Sequence, residues 1–168
     1  MNDSSMIISG FPGVGKTHAY SAFQRNPMLD GRHAFDSDSS MFSKHTGFPE
    51  TYIDHVEEIL RVGYAMIFVS SHKDVREELK RRNIPYISVY PEESLKDEYL
   101  ERFKSRGNPD FFIELIDNNW DEWLKGLREE DWSGCFHKVL GSGEYLWDVL
   151  FDLTVDVNFI DGVWNEGQ

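Results

Sequence analysis

"GFPGVGKT", residues 10–17, decides the fold of this chain. Three glycines, a lysine and a hydroxyl in eight residues make a poor packing unit. The stretch follows "SMIIS" (5–9), short and β-rich, and precedes "HAYSAFQRN" (18–26), which reads as a helix. It fits G-x-x-x-x-G-K-[ST] at every fixed position: Gly10, Gly15, Lys16 and Thr17. Glycines let such a loop bend with its N–H groups pointing inward and no Cβ in the way. That nest and the start of the following helix form an anion site. Lys16 then serves the terminal phosphates of a nucleoside triphosphate, and the Thr17 hydroxyl serves Mg²⁺. The candidate phosphate-binding residues are Gly10, Gly13, Val14, Gly15, Lys16, Thr17 and His18. Strand, loop and helix in this order predict an α/β domain.

The rest of the chain alternates accordingly. "HAFDSD" (33–38) reads as a second strand ending in acids. "YAMIFVSS" (64–71) is continuous, apolar and β-branched, as suits a strand buried on both faces. "PYISVY" (85–90) and "CFHKVL" (135–140) read as a fourth and a fifth. Ile53, Val56, Ile59 and Leu60 share a helical face between strands two and three. Ser71 with Asp74, and Ser94 with Asp97, have capping-box spacing. Asn108 reads as the cap of a helix that starts at Pro109 and carries the stripe Phe112, Ile116, Asn119, Trp120, Trp123 and Leu127. "EYLWDVLFDL" (144–153) reads as a last helix. Strands alternating with helices imply parallel pairing, hence a three-layer domain with helices on both faces of a sheet.

Bulk properties bound the function. At 168 residues the chain is read as one domain, 1–168. It has no apolar run long enough for a membrane span, and the expectation is no membrane partner and no secretory leader. One cysteine, Cys135, forms no internal disulfide and reads as a packing residue of a cytoplasmic protein. A net charge of −13 disfavours general coating of nucleic acid. The excess is concentrated after Lys138, the last cation, and residues 154–168 read as an acidic C-terminal tail.

Two further patterns carry chemistry. Asp36 and Asp38 in "DSDSS" (36–40) stand where the second strand ends, and in a parallel sheet strand C-termini face the ligand crevice. An acid there accepts a proton from an attacking hydroxyl or orients water on Mg²⁺. In "YLERFKSRG" (99–107), Arg102 and Arg106 are four apart and share a helix face that begins apolar with Leu95 and Tyr99. This describes a lid over residues 94–110, packed at its start and cationic at its end, with Gly107, Asn108 and Pro109 as hinge. The third strand ends "IFVSSH" (67–72), with Ser70 or Ser71 where motors and switches put an acid, and no N-K-x-D is present. A motor ATPase and a GTPase are therefore disfavoured.

The order "ISGFPGVGKT", "DSDSS", "IFVSSH", "RFKSRG" resembles small P-loop kinases of the nucleoside and nucleotide kinase group, above all the kinase part of polynucleotide kinases. It is similar too to phage-borne kinases of nucleotides or of modified bases in DNA. The resemblance spans roughly residues 5–125. It implies a P-loop NTPase fold with about five parallel strands, ATP with Mg²⁺, and a closing lid. It implies phosphate and metal roles for Lys16 and Thr17, a general base at Asp38, and lid arginines at Arg102 and Arg106. The D-R pair that thymidylate-type kinases carry after strand three is missing, with His72 and Arg76 as substitutes. The leading expectation is γ-phosphoryl transfer to a small nucleoside or nucleotide. The alternatives are a kinase acting on DNA, at a 5′ end or a hydroxymethyluracil-type base, and a nucleotide-dependent regulator with little turnover. Trp120 and Trp123 read as core residues rather than stacking platforms.

Overall fold

A computed structural model describes residues 5–26, 32–37 and 46–154. Five strands form one parallel sheet: β1 (Met6–Gly10), β2 (His33–Asp36), β3 (Ala65–Ser70), β4 (Tyr86–Pro91) and β5 (Cys135–Leu140). Their spatial order is β2-β3-β1-β4-β5. β1 lies at the centre, with Ile8 opposite Phe68 on one side and Ile87 on the other. Every residue of β1 is buried, and so is β3 up to Val69, as the apolar runs predict. Strands shielded on both faces have no use for polar alternation.

Side-chain parity splits the core in two. Met6, Ile8, Met66, Phe68 and Ile87 point to one face. Ala19 and Phe23 of α1 (Lys16–Arg25) meet them there, with Leu146, Val149, Leu150 and Leu153 of α6, helical over 146–154. Ile7, Ala65, Ile67 and Val69 point to the other face, against Val56 and Ile59 of α2 (Glu50–Val62) and Val75 and Leu79 of α3 (Lys73–Arg81). Beside α3 runs α5 (Asp110–Arg128), joined to it where Arg76 and Lys80 both reach Glu130 at 3.2 Å. The chain steps from β1 to β2 in one direction and from β2 through β5 in the other. Right-handed crossovers require opposite faces for opposite directions, which is why α1 lies across the sheet from α2, α3 and α5. The three-layer expectation holds.

Some local expectations do not. Neither capping box forms. α3 is capped by His72, whose N–H donates to Ser70 Oγ at 3.2 Å. A 3₁₀ turn, Glu93–Leu95, uses up Ser94 before α4 (Lys96–Ser105) begins. Pro109, not Asn108, is the cap of α5. Asn108 instead donates its N–H to Phe103 O and Gly107 to Lys104 O, a closed turn with Gly107 at φ +77°. The predicted helix break after Arg106 is therefore present and tight. Of the acidic tail, only residue 154 is described, as the end of α6. No helix among the described residues is long and apolar enough to cross a membrane.

Candidate functional site

The glycine loop leaves β1 at the C-terminal edge of the sheet. Phe11 N–H still bonds Val89 O at 2.9 Å, so the loop starts in register with β4. The chain then turns through Gly13 (φ +84°) and Gly15 (φ +96°) into α1. Gly15 caps α1 with no side-chain hydrogen bond, and the first helical N–H bonded back into the loop is that of Ala19, to Gly15 O. The N–H groups of Thr17 and His18 stand in the first turn of the helix, which favours an anion. Thr17 and His18 are exposed and Val14 is buried beneath the loop. Lys16 Nζ donates to Gly10 O at 2.5 Å, and its stem fills the space a Gly10 Cβ would need, 2.9 Å away. The predicted loop residues are thus brought together around one helix end.

α4 closes over the outer side of this loop. A Cβ on Gly13 would stand 2.9 Å from Phe103 and 3.1 Å from Tyr99. Arg102 lies between two rings, 4.3 Å from the Tyr99 centroid and 3.9 Å from that of Tyr145. Its guanidinium donates to Gly13 O at 3.2 Å, Glu144 O at 3.2 Å and Glu98 Oε1 at 2.6 Å. Burial pushes the Tyr99 phenol up to about 12, so it stays protonated beneath the cation. The stack places Arg102 on the loop backbone, with its side chain only 8 % exposed. Arg106, the cap residue of α4, is exposed beside it. Both arginines, with Gly13 and Tyr145, line a cavity of about 440 Å³.

The turn 141–145 completes this side, and sequence reasoning missed it. Its signal is "GSGEY", a glycine turn at the C-terminal end of a parallel strand. Leu146 N–H donates to Val14 O at 2.8 Å, and Tyr145 Cδ1 would stand 3.3 Å from a Gly15 Cβ. Glu98 ties the turn to α4. It accepts from Gly143 N–H at 2.9 Å, Ser142 Oγ at 2.8 Å and Arg102. The Gly143 and Ser142 bonds, with Arg102, hold its carboxyl below the usual range. A carboxyl depressed on folding stabilises the protein above its unfolded pKa, and that contribution is lost as pH falls through the folded one. We expect Glu98→Gln to cost about 1–3 kcal/mol at neutral pH. It should also make the loss of stability below about pH 4.3 shallower. Urea midpoints measured against pH check both.

A second cavity, about 270 Å³, opens on the other side of the loop, lined by Gly10 to Pro12, Lys16, Ser70 to Asp74, Arg76, Trp123 and Leu127. Asp36 is exposed at the end of β2, separated from β1 by β3. Asp38 lies outside the described residues. Ser37, between them, is anchored: its N–H donates to Phe68 O at 3.0 Å and its carbonyl accepts from Tyr52 OH at 2.8 Å. Arg76 is buried and committed, donating to Ser71 O at 3.1 Å and to Glu130 at 3.2 Å. Trp120 is a core residue, fully buried, edge-on to Phe11 and Tyr99, with its indole N–H on Glu93 O. Trp123 differs: it is half-buried and faces the second cavity. Burial raises the Cys135 thiol, in keeping with a packing role. No group of three or more His, Cys, Asp or Glu among the described residues makes a metal cluster.

No protein-family model and no curated protein matches the chain. Among solved structures, an uncharacterized protein from Eubacterium ventriosum ATCC 27560 superposes with a TM-score of 0.50 over 95 % of this chain and 99 % of its own. At 11 % identity, that likeness is one of fold alone.

Proposed function

We propose that the chain is an ATP-dependent phosphotransferase of P-loop type, moving the γ-phosphoryl of ATP to a nucleoside- or nucleotide-type acceptor. One observation carries this reading: a glycine loop bent through two positive-φ glycines, with Lys16 folded across it, opens a helix that has no side-chain cap at the C-terminal edge of a parallel sheet. An open helix start and a mobile point charge are what a polyphosphate needs. The two cavities flank the loop and give a donor and an acceptor separate entrances. The donor's base fits the side of Gly13 and Tyr145, and the acceptor fits the side of Lys16 and Ser70.

In the reaction, an acceptor oxygen attacks the γ-phosphorus and the bond from that phosphorus to the β,γ-bridging oxygen breaks. ADP leaves, and the acceptor proton passes to a carboxylate. Asp38 is the proposed base and Asp36 its alternative. Thr17, exposed in the first turn of α1, suits Mg²⁺, which would otherwise be held by the donor's own phosphates. The metal supplies neutralisation of phosphate charge. The charge pattern favours a small acceptor over nucleic acid. Of the nine Lys and Arg between 73 and 106, seven, all but Lys104 and Arg106, stand in ion pairs with carboxylates among the described residues. Arg82 alone engages Asp54, Glu57 and Glu78. Cations so paired do not make a basic groove.

The test is transfer of radiolabelled γ-phosphate over nucleosides, monophosphates and oligonucleotides. The base is assigned by a pair of variants. Asp38→Asn should cut kcat by roughly 10²- to 10⁴-fold with ATP affinity little changed. If Asp36→Asn is the damaging change instead, Asp36 is the base. Equal losses of kcat and of ATP·Mg²⁺ affinity would make the acid a metal-shell residue.

A further inference from the structure

Resting on that reading, we propose that the cavity between α3 and α5 is the acceptor site, and that it selects an uncharged acceptor with a planar ring and a hydroxyl, a nucleoside rather than a nucleoside monophosphate. Two features of the cavity carry this. The first is its charge. A phosphate on the acceptor calls for an uncommitted guanidinium, whose fork matches phosphate oxygens bidentately. Among the described residues, Arg76 is the only arginine that lines the cavity. Its Nε is on Ser71 O, its Nη1 is on Glu130, and its side chain is 8 % exposed. Lys80 shares the same carboxylate. Lys73 pairs with Glu77 at 3.5 Å across an exposed helix turn. Asp74 adds a carboxylate to the wall. Lys16 belongs to the donor phosphates. What remains among the described residues, His72 with Ser70 and Ser71, offers no guanidinium fork for a second dianion, and Asp74 repels one.

The second feature is an apolar wall. Trp123 and Leu127, one helical turn apart on α5, face Phe11 and Pro12 at the loop. Trp120, three residues before Trp123, fills the core against Phe11, so α5 is fixed and Trp123 is presented from a rigid support. An aromatic side chain held half-buried over a cavity is a stacking surface for a ring. Ser70 supplies polar orientation at the end of β3. Its Oγ accepts from His72 N–H, which leaves its own O–H to donate.

The experiment is an acceptor panel on the full chain. ATP binding is measured first by calorimetry. Initial rates of γ-phosphoryl transfer then compare nucleosides, their 5′-monophosphates and a single-stranded oligonucleotide with a free 5′ hydroxyl. The proposal expects kcat/KM for the best nucleoside to exceed that for its monophosphate by roughly tenfold or more, the penalty of an unpaired buried charge. Trp123→Leu should raise the nucleoside KM about tenfold, as loss of a stacking partner does, while the ATP dissociation constant stays within about twofold. Trp123→Phe should recover most of that loss. A monophosphate or the oligonucleotide as best acceptor overturns the proposal and leaves the phosphotransferase reading standing. An unchanged nucleoside KM in a folded Trp123→Leu protein overturns it too. Absence of ATP binding overturns both.

Discussion

Lys16→Ala should fold like the wild-type protein and lose phosphoryl transfer. Among the hydrogen bonds given up is one from Nζ to the Gly10 carbonyl, in a side chain that is only partly buried. Such a bond is worth about 1 kcal/mol net, so the thermal midpoint should fall by only a few degrees, roughly 2–4 °C for a domain of this size. The effect on turnover is of another order. On the proposed reading, the ammonium is the one charge that the loop carries to the phosphates. Removing a preorganised donor aimed at developing charge costs roughly 10²- to 10³-fold in kcat. Calorimetry with ATP and an initial-rate assay read the two parts separately. A folded Lys16→Ala protein with wild-type transfer would sink the phosphate-loop reading. Lys16→Arg is a sharper control: it keeps the charge, but a planar fork does not replace a compact point charge.

The second large effect is expected at Arg102, and it separates that residue from Arg106. The spacing of the two arginines suggests equal partners on a lid. The structure gives them different neighbours. Arg102 is stacked between Tyr99 and Tyr145 and bonded to the loop carbonyl of Gly13. Charged hydrogen bonds of about 1.5–3 kcal/mol and a partly buried cation–π contact of about 0.5–2 kcal/mol overlap rather than add. A net loss of about 2–3 kcal/mol for Arg102→Ala follows, or a thermal midpoint lower by roughly 5–10 °C. Arg106 is exposed, so Arg106→Ala should leave the midpoint within about 2 °C. If Arg106 meets the phosphoryl group in flight, its loss should lower kcat by roughly 10³-fold or more, against less than tenfold for a surface ion pair. Thermal scans beside kcat for both variants decide. A stable Arg102→Ala protein with a collapsed kcat would mean that Arg102 leaves its stack during turnover and acts as the finger itself.

Fold and site were legible to different depths. β3 could be read nearly to the residue, because an apolar β-branched run bounded by polar punctuation has few other uses. The order β2-β3-β1-β4-β5 could not, since alternation fixes parallel pairing but not neighbours. Helix caps were read from spacing and failed where the helix starts one residue off or a nearer acceptor competes. The cap of α3 falls on His72, whose N–H goes to Ser70 Oγ, which leaves Ser71 and Asp74 out of register for a capping box. The two tryptophans show the resolution of a helical stripe. Trp120 and Trp123 differ by three residues, about 60° around the axis. That angle separates a fully buried ring from one at the edge of a cavity. The glycine loop announced itself because its residue types and their spacing match one fixed pattern. The turn 141–145 did not, because its contacts are made largely through backbone atoms, with one serine hydroxyl and one tyrosine ring, which leave almost no pattern.

The strap from Leu146 to Val14 has a consequence for the order in which the protein is made. Residues 146–154 supply one wall of the core on the α1 side of the sheet, and Leu146 supplies a backbone bond to the loop. A ribosome delivers them after all five strands. Until then α2, α3 and α5 can already cover their own face, while Met66, Phe68 and Ile87 lack half of their cover on the other. The nascent chain therefore carries a sticky, half-roofed sheet until α6 emerges, and the glycine loop takes its final form only after all five strands have been made.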